Sequence, residues 1–126
     1  MYVLSHSEIP ARDGYYSKII NNRMLKTSEV GAASFCLQEQ IIPPGGYIVS
    51  HSHPYEESLT FLSGRVTVTI NDETAEVEAA VTIFIPPHTI HSVINQGSEP
   101  AKLIAVHGTN TPEVVYPDGT PEPVKW

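Results

Sequence analysis

The sequence predicts an all-β domain whose strands form a sandwich or barrel. Three observations carry this. Apolar side chains recur at every second position in short segments such as Arg65-Val66-Thr67-Val68-Thr69-Ile70, the period of a strand with one buried face. No long segment repeats apolar residues at helical spacing. Turn-forming clusters, Pro43-Pro44-Gly45-Gly46, Pro86-Pro87 and Gly97-Ser98-Glu99-Pro100, punctuate the chain often enough to separate many short strands.

Residues 1–33 read as an N-terminal arm, in which Asn21-Asn22-Arg23-Met24-Leu25-Lys26 is expected to hold an edge strand or a short helical turn. Cys36, Gln38 and Gln40 follow and share one face of an extended segment. If that face lines a barrel, the two glutamines orient a polar substrate; otherwise they are solvated. Cys36 reads as a small core filler.

Beyond the proline-glycine turn stand His51 and His53, at i and i+2 and so pointing the same way from one strand. Glu57 on an unbroken strand would lie roughly 13 Å from His53, too far to share an ion whose ligands sit near 2 Å. Pro54 supplies a break, because it cannot donate to a sheet ladder and fixes its own φ. A bend through Pro54-Tyr55 then returns Glu57 to the histidines and sets Tyr55 within reach of a ligand bound there. Sequence neighbours face opposite sides, which selects Glu57 over Glu56.

The next strand, Arg65 to Ile70, puts Val66, Val68 and Ile70 on its buried face. Asn71-Asp72-Glu73 turns a hairpin, and Thr74 to Val77 runs back along it. Val81 to Ile85 is a strand rich in β-branched residues. The run Phe84 to Asn95 reads as a further strand entered through a turn at Pro86-Pro87, and it carries His91, a fourth candidate ligand. His88, three residues before it, is either a catalytic proton shuttle at the barrel mouth or an exposed loop residue. His107 closes the strand Lys102 to His107, where it either points into the same cavity as a substrate-pocket residue or lies at the surface. Residues 108–126, with Pro112, Pro117, Pro121 and Pro123, read as an extended tail.

Together these positions carry a resemblance. Gly45, His51, His53, Glu57 and Gly64 fit the pattern G-x5-H-x-H-x3-E-x6-G. Pro86, His91 and Asn95 fit G-x5-P-x-G-x2-H-x3-N, with Ala80 and His88 standing where glycines are usual. Over about residues 45–95 the sequence resembles the cupin family. The resemblance implies a double-stranded jelly-roll barrel, with residues 1–126 as one cupin domain and its motif core at about 34–107. It also implies a metal inside the barrel mouth, held by His51, His53, Glu57 and His91, and a homodimer. Cupins include dioxygenases, isomerases, epimerases, decarboxylases and lyases, so the resemblance alone does not fix a reaction.

Composition narrows the remaining classes. A chain of 126 residues suits one domain. Fourteen acidic against seven basic side chains give a net charge of −7, which argues against nucleic acid as partner because that binding runs on clustered Lys and Arg. No apolar stretch is long enough to span a bilayer, and the first residues lack the order of a signal peptide. The expectation is a cytoplasmic protein with no membrane partner. Cys36 is the only cysteine, which excludes an internal disulfide and a four-thiolate zinc site.

With neither a serine triad nor a glycine-rich phosphate loop, any chemistry belongs to the metal. Three imidazoles and one carboxylate suit one divalent transition ion, Fe, Mn, Ni, Cu, Co or Zn. Neutral imidazoles and one carboxylate leave such an ion at about +1, which favours a small anionic, chelating substrate. The expected function is a metalloenzyme of dioxygenase or isomerase/lyase type acting on a small polar oxygenated molecule. The rival is a non-catalytic binding or sensing module.

Overall fold

A computed structural model describes residues 1–13, 17–25 and 30–124, with backbone alone at 20 and 21. Its strands are β1 (Ile20–Leu25), β2 (Cys36–Ile42), β3 (Tyr47–His51), β4 (Glu57–Ser63), β5 (Arg65–Ile70), β6 (Glu73–Glu78), β7 (Val81–Ile85), β8 (His91–Ile94), β9 (Ala101–His107), β10 (Glu113–Val115) and β11 (Pro121–Pro123). One sheet runs β1-β2-β9-β4-β7, the second β3-β8-β5-β6, and β10-β11 is a separate hairpin. Two antiparallel sheets whose spatial neighbours are distant in sequence are the jelly-roll arrangement.

Inward parity builds the core between the sheets. Leu59 and Phe61 of β4, Val66 and Val68 of β5, Val93 of β8 and Ala101, Leu103 and Ala105 of β9 are all buried. Burying each large apolar side chain contributes on the order of 1.5–3 kcal/mol relative to leaving it exposed. Strands β5 and β7 have the expected bounds, and β9 starts one residue earlier, at Ala101.

The same parity that fills one end of the barrel with hydrocarbon delivers polar groups to the other. Register aligns Glu57 of β4 with Ile85 of β7 and with His107 of β9, and His107 with Cys36 of β2. Across the barrel, β3 pairs His51 with His91 of β8. One rung from each sheet therefore meets at the same end.

Of the two structures open to the N-terminal arm, residues 20–25 form an edge strand paired with β2. A 3-10 turn occurs earlier, at His6–Glu8. Lys26, the last residue of the expected segment, lies outside the described residues. The arm also covers Glu39, buried on the outer face of β2, through His6. Arg23 at 3.8 Å and Lys102 at 3.5 Å add positive charge around it. Burial works against the Glu39 carboxylate, but His6, Lys102 and Arg23 outweigh it and hold its pKa below the usual range.

The tail departs from the extended reading. Residues 113–123 fold back as β10-β11, with Gly119 at φ +89 in the connecting turn and its N–H bonded to the Tyr116 carbonyl at 2.8 Å. Pro121 and Pro123 are tolerated because a two-stranded ribbon leaves half of its N–H groups without a ladder partner. Val115 exchanges backbone hydrogen bonds with Ser52, at 2.9 and 2.8 Å, which docks the hairpin on the barrel rim.

Candidate metal centre

The chain leaves β3 at His51 and enters β4 at Glu57, so the break expected at Pro54 lies between two strands. The excursion returns Glu57 to the histidines. One ligand-type atom from each of His51, His53, Glu57 and His91 lies within 4.8 Å of all the others, and all four residues are buried. His51 Nε2 is 3.1 Å from His53 Nε2, His91 Nε2 is 3.0 Å from Glu57 Oε1, and His53 Nε2 is 3.5 Å from the same oxygen.

The opposite edge of each ring explains this convergence. His51 Nδ1–H donates to the Val49 carbonyl at 2.6 Å, His91 Nδ1–H to the Thr89 carbonyl at 2.9 Å, and His53 Nδ1–H to the Glu113 carbonyl at 2.5 Å. A neutral imidazole has one N–H, so these bonds set the tautomer and leave three Nε2 lone pairs pointing inward. His91 Nε2 and Glu57 Oε1 accordingly have no hydrogen-bond partner. Their 3.0 Å approach sets one lone pair against another, an arrangement that a cation between them would relieve.

Electrostatics fit the same picture. Burial, with His91 and His53 beside it, pushes His51 down to about 3 and keeps it neutral. Burial also opposes charge on Glu57, but His53, His91 and His107 outweigh it and hold the carboxyl well below its usual range. Burial would lower His53 as well, yet the Glu57 carboxylate and the Glu113 carbonyl raise it. Cys36 is pushed up to about 11 by burial and then by Glu57, so it is a protonated filler rather than a nucleophile.

A cavity of about 400 Å³ opens beside the cluster. Gln38, Gln40 and His107 line it, as do Asn22, Arg12 and Ser17 from the N-terminal arm and Val114, Tyr116 and Glu122 from the hairpin region. His107 is buried, its Nδ1 3.2 Å from Glu57 Oε2 and its Nε2 2.9 Å from Gln38 Oε1. Burial pulls it down to about 4 despite the Glu57 charge.

Tyr55 takes a different place. It stacks on His53 at a centroid distance of 4.9 Å, donates its hydroxyl to the Glu113 carbonyl at 2.9 Å, and is absent from the cavity wall. His88 is also outside the wall. Its side chain is exposed, its φ is +59, and its N–H bonds the His53 carbonyl at 2.6 Å. The turn needs a left-handed residue there, and that backbone directs the ring to solvent.

Sequence reasoning missed the contributions of the arm and the hairpin. Of the two readings open to His107, strand alternation along Ala101, Leu103 and Ala105 agrees with the inward one. Pro117-Asp118-Gly119 would have signalled the hairpin turn.

A family model described as the cupin domain matches residues 38–107, more than half of the chain. The chain belongs to the cupin family. An uncharacterised protein of Methanocaldococcus jannaschii is 38% identical to this cupin over 69 residues, covering 54% of the chain and 55% of the relative. The tetracenomycin polyketide synthase protein TcmJ of Streptomyces glaucescens is 29% identical over 82 residues, covering 64% of the chain and 55% of its own length. The chain thus spans about half the length of these curated relatives.

Among solved structures, the polyketide cyclase RemF of Streptomyces resistomycificus superposes with a TM-score of 0.76 at 25% identity, covering 90% of this cupin and 83% of the cyclase. A predicted oxalate decarboxylase of Thermotoga maritima gives 0.73 at 22% identity, covering 86% and 99%. The latter likeness concerns the fold. Among the described residues, no helix is long and apolar enough to cross a membrane.

Proposed function

We propose that this cupin binds one divalent transition metal through His51, His53, Glu57 and His91 and acts on a small, polar, oxygenated organic molecule. The convergence of three Nε2 atoms and the Glu57 carboxylate in one buried cluster, with His91 Nε2 and Glu57 Oε1 left without hydrogen-bond partners, carries this reading. Similar proteins support it at the level of class. They include a polyketide cyclase and the oxalate decarboxylase of Bacillus subtilis, whose centres are described as Mn(II).

When bound, such an ion supplies Lewis acidity and, for a redox-active metal, dioxygen chemistry. The chain does the rest. Three backbone carbonyls hold the histidine tautomers, and Glu57 contributes the negative charge. Gln38 and Gln40 offer amide donors and acceptors to a polar substrate, while Ile19, Ile48 and Leu59 provide apolar wall. Tyr55 acts through His53 and Glu113, and His88, facing solvent, has no part in this reading.

The test is a screen of metal-loaded protein against small keto and hydroxy acids, with dissolved oxygen followed by electrode and α-proton exchange by NMR. Oxygen uptake assigns the dioxygenase branch, and exchange or isomerisation without uptake assigns the isomerase/lyase branch. Tight substrate binding with neither would make the protein a binding module and reject the enzyme reading.

A further inference from the structure

Gln38 and Gln40 both line the cavity from β2, but the structure treats them differently. Gln38 is engaged at both ends of its amide. Its Oε1 lies 2.9 Å from His107 Nε2, and its Nε2 donates to Asn22 Oδ1 at 2.7 Å. Gln40 is as deeply buried, at 7% exposure, yet among the described residues its amide has no hydrogen-bond partner. The ladders on either side explain this. Ile20 of β1 pairs with Ile41 and Arg23 with Glu39, so residues 21 and 22 stand against Gln40 alone, and Asn22 turns to Gln38. On the other side Gln40 pairs with Leu103 of β9, and Leu103 with Phe61 of β4; neither offers a polar side-chain atom.

Depth separates the two glutamines as well. Cys36, His107 and Glu57 form one rung of the sheet, level with the candidate ligands. Along β2 from Cys36, Gln40 lies four residues on, which at about 3.3 Å per residue is roughly 13 Å from that rung. A two-carbon acid held at the ion is too short to span it. The cavity of about 400 Å³ has room for a much longer molecule. Ile19, Ile48 and Leu59 give it an apolar wall, while its charged residues, Arg12, Asp13, Glu57 and Glu122, belong to the arm, the metal rung and the hairpin. An amide set among hydrocarbon favours a neutral partner, because a charge there loses its hydration and gains no counter-charge.

We propose that Gln40 selects the substrate by hydrogen-bonding a neutral oxygen function, a hydroxyl or keto group, carried on an apolar chain several bonds away from the group that meets the metal. Gln38, tied to His107 and Asn22, shapes the wall between the two ends. Resting on the metal reading above, Gln40 adds a second polar point and a minimum length to the substrate described there.

The experiment measures binding of 2-oxo acids to the full chain loaded with Zn(II), by calorimetric titration and by the NMR signals of the glutamine side-chain amides. The probes are glyoxylate, 2-oxooctanoate and 8-hydroxy-2-oxooctanoate. The hydroxylated long acid is expected to bind the parent about threefold to tenfold more tightly than 2-oxooctanoate. It also shifts the Gln40 amide signal, which glyoxylate leaves in place. Gln40→Met, similar in shape but without the amide, is expected to bind the two long acids equally. If that variant fails to fold, the parent's preference and the Gln40 signal decide the matter. A parent that takes up no metal overturns the metal reading and this inference with it. A Zn(II)-loaded parent that does not prefer the hydroxylated acid, or a folded Gln40→Met that keeps the preference, overturns the inference alone.

Discussion

The carbonyl of Glu113 accepts the Nδ1–H of His53 at 2.5 Å, tying a candidate metal ligand to the C-terminal hairpin. Tyr55 reinforces the tie, donating its hydroxyl to the same carbonyl at 2.9 Å and accepting the Glu113 N–H at 3.1 Å. Removing the partner that orients a ligating histidine typically lowers metal affinity 10–100-fold. Truncation after Thr111 is expected to have an effect of about that size, and Tyr55→Phe a smaller one of roughly threefold to tenfold. Competition with a fluorescent chelator measures both, and circular dichroism checks that the barrel remains.

Asn95 illustrates a motif residue whose work is structural. It is fully buried, donates Nδ2 hydrogens to the carbonyls of Ile42 at 2.9 Å and Glu99 at 2.8 Å, and accepts the Gly97 N–H at 3.0 Å. Asn95→Ala strips partners from three backbone groups at once, an expected loss of about 2–4 kcal/mol in urea unfolding.

Gly64 and Gly119 share a left-handed backbone, at φ +92 and +89, but differ in space. A Cβ at Gly64 would stand 2.7 Å from Pro100 O and Ala101 Cα, whereas at Gly119 nothing lies within 4 Å. Gly119→Ala is expected to cost about 1–2 kcal/mol for the backbone alone. Gly64→Ala adds overpacking and is expected to cost about 2–5 kcal/mol. Equal losses in paired unfolding curves would reject this account of the turn.

The metal-free protein should be most stable near the unperturbed histidine value of 6.5. His51 is depressed to about 3 and His107 to about 4, so below 6.5 the unfolded chain takes up protons that the folded chain refuses. Stability then falls with pH, by up to about 1.4 kcal/mol per unit for each group. Glu57, held below 4.5, extends the loss at lower pH. His53 is raised, so its contribution is complete below 6.5 and is lost as pH rises through its folded value. Saturating metal requires a neutral His53 and should remove the alkaline decline. Denaturation series with and without metal check both limbs.

Much of the site was legible because its information is local. The spacing of His51, His53 and Glu57 around Pro54, and the alternation of β5 and β7, depend on neighbouring residues and strand period. His88 was ambiguous because turn position alone does not say where a side chain points. The pairing of Glu57 with His107 is a register between strands far apart in sequence, and no local pattern states it. The hairpin was obscured by proline content, which marks extended chain and edge strand alike, so its service to His53 through a backbone carbonyl left no side-chain signature.

The most direct test is elemental analysis and metal titration of purified protein beside the His51→Ala, His53→Ala double variant, with folding of both verified. The parent is expected to carry about one equivalent of a first-row divalent metal per chain, and the variant less than about a tenth of that. Equal metal in the two folded proteins, or none in a parent offered an excess of each candidate ion, would contradict the metal reading.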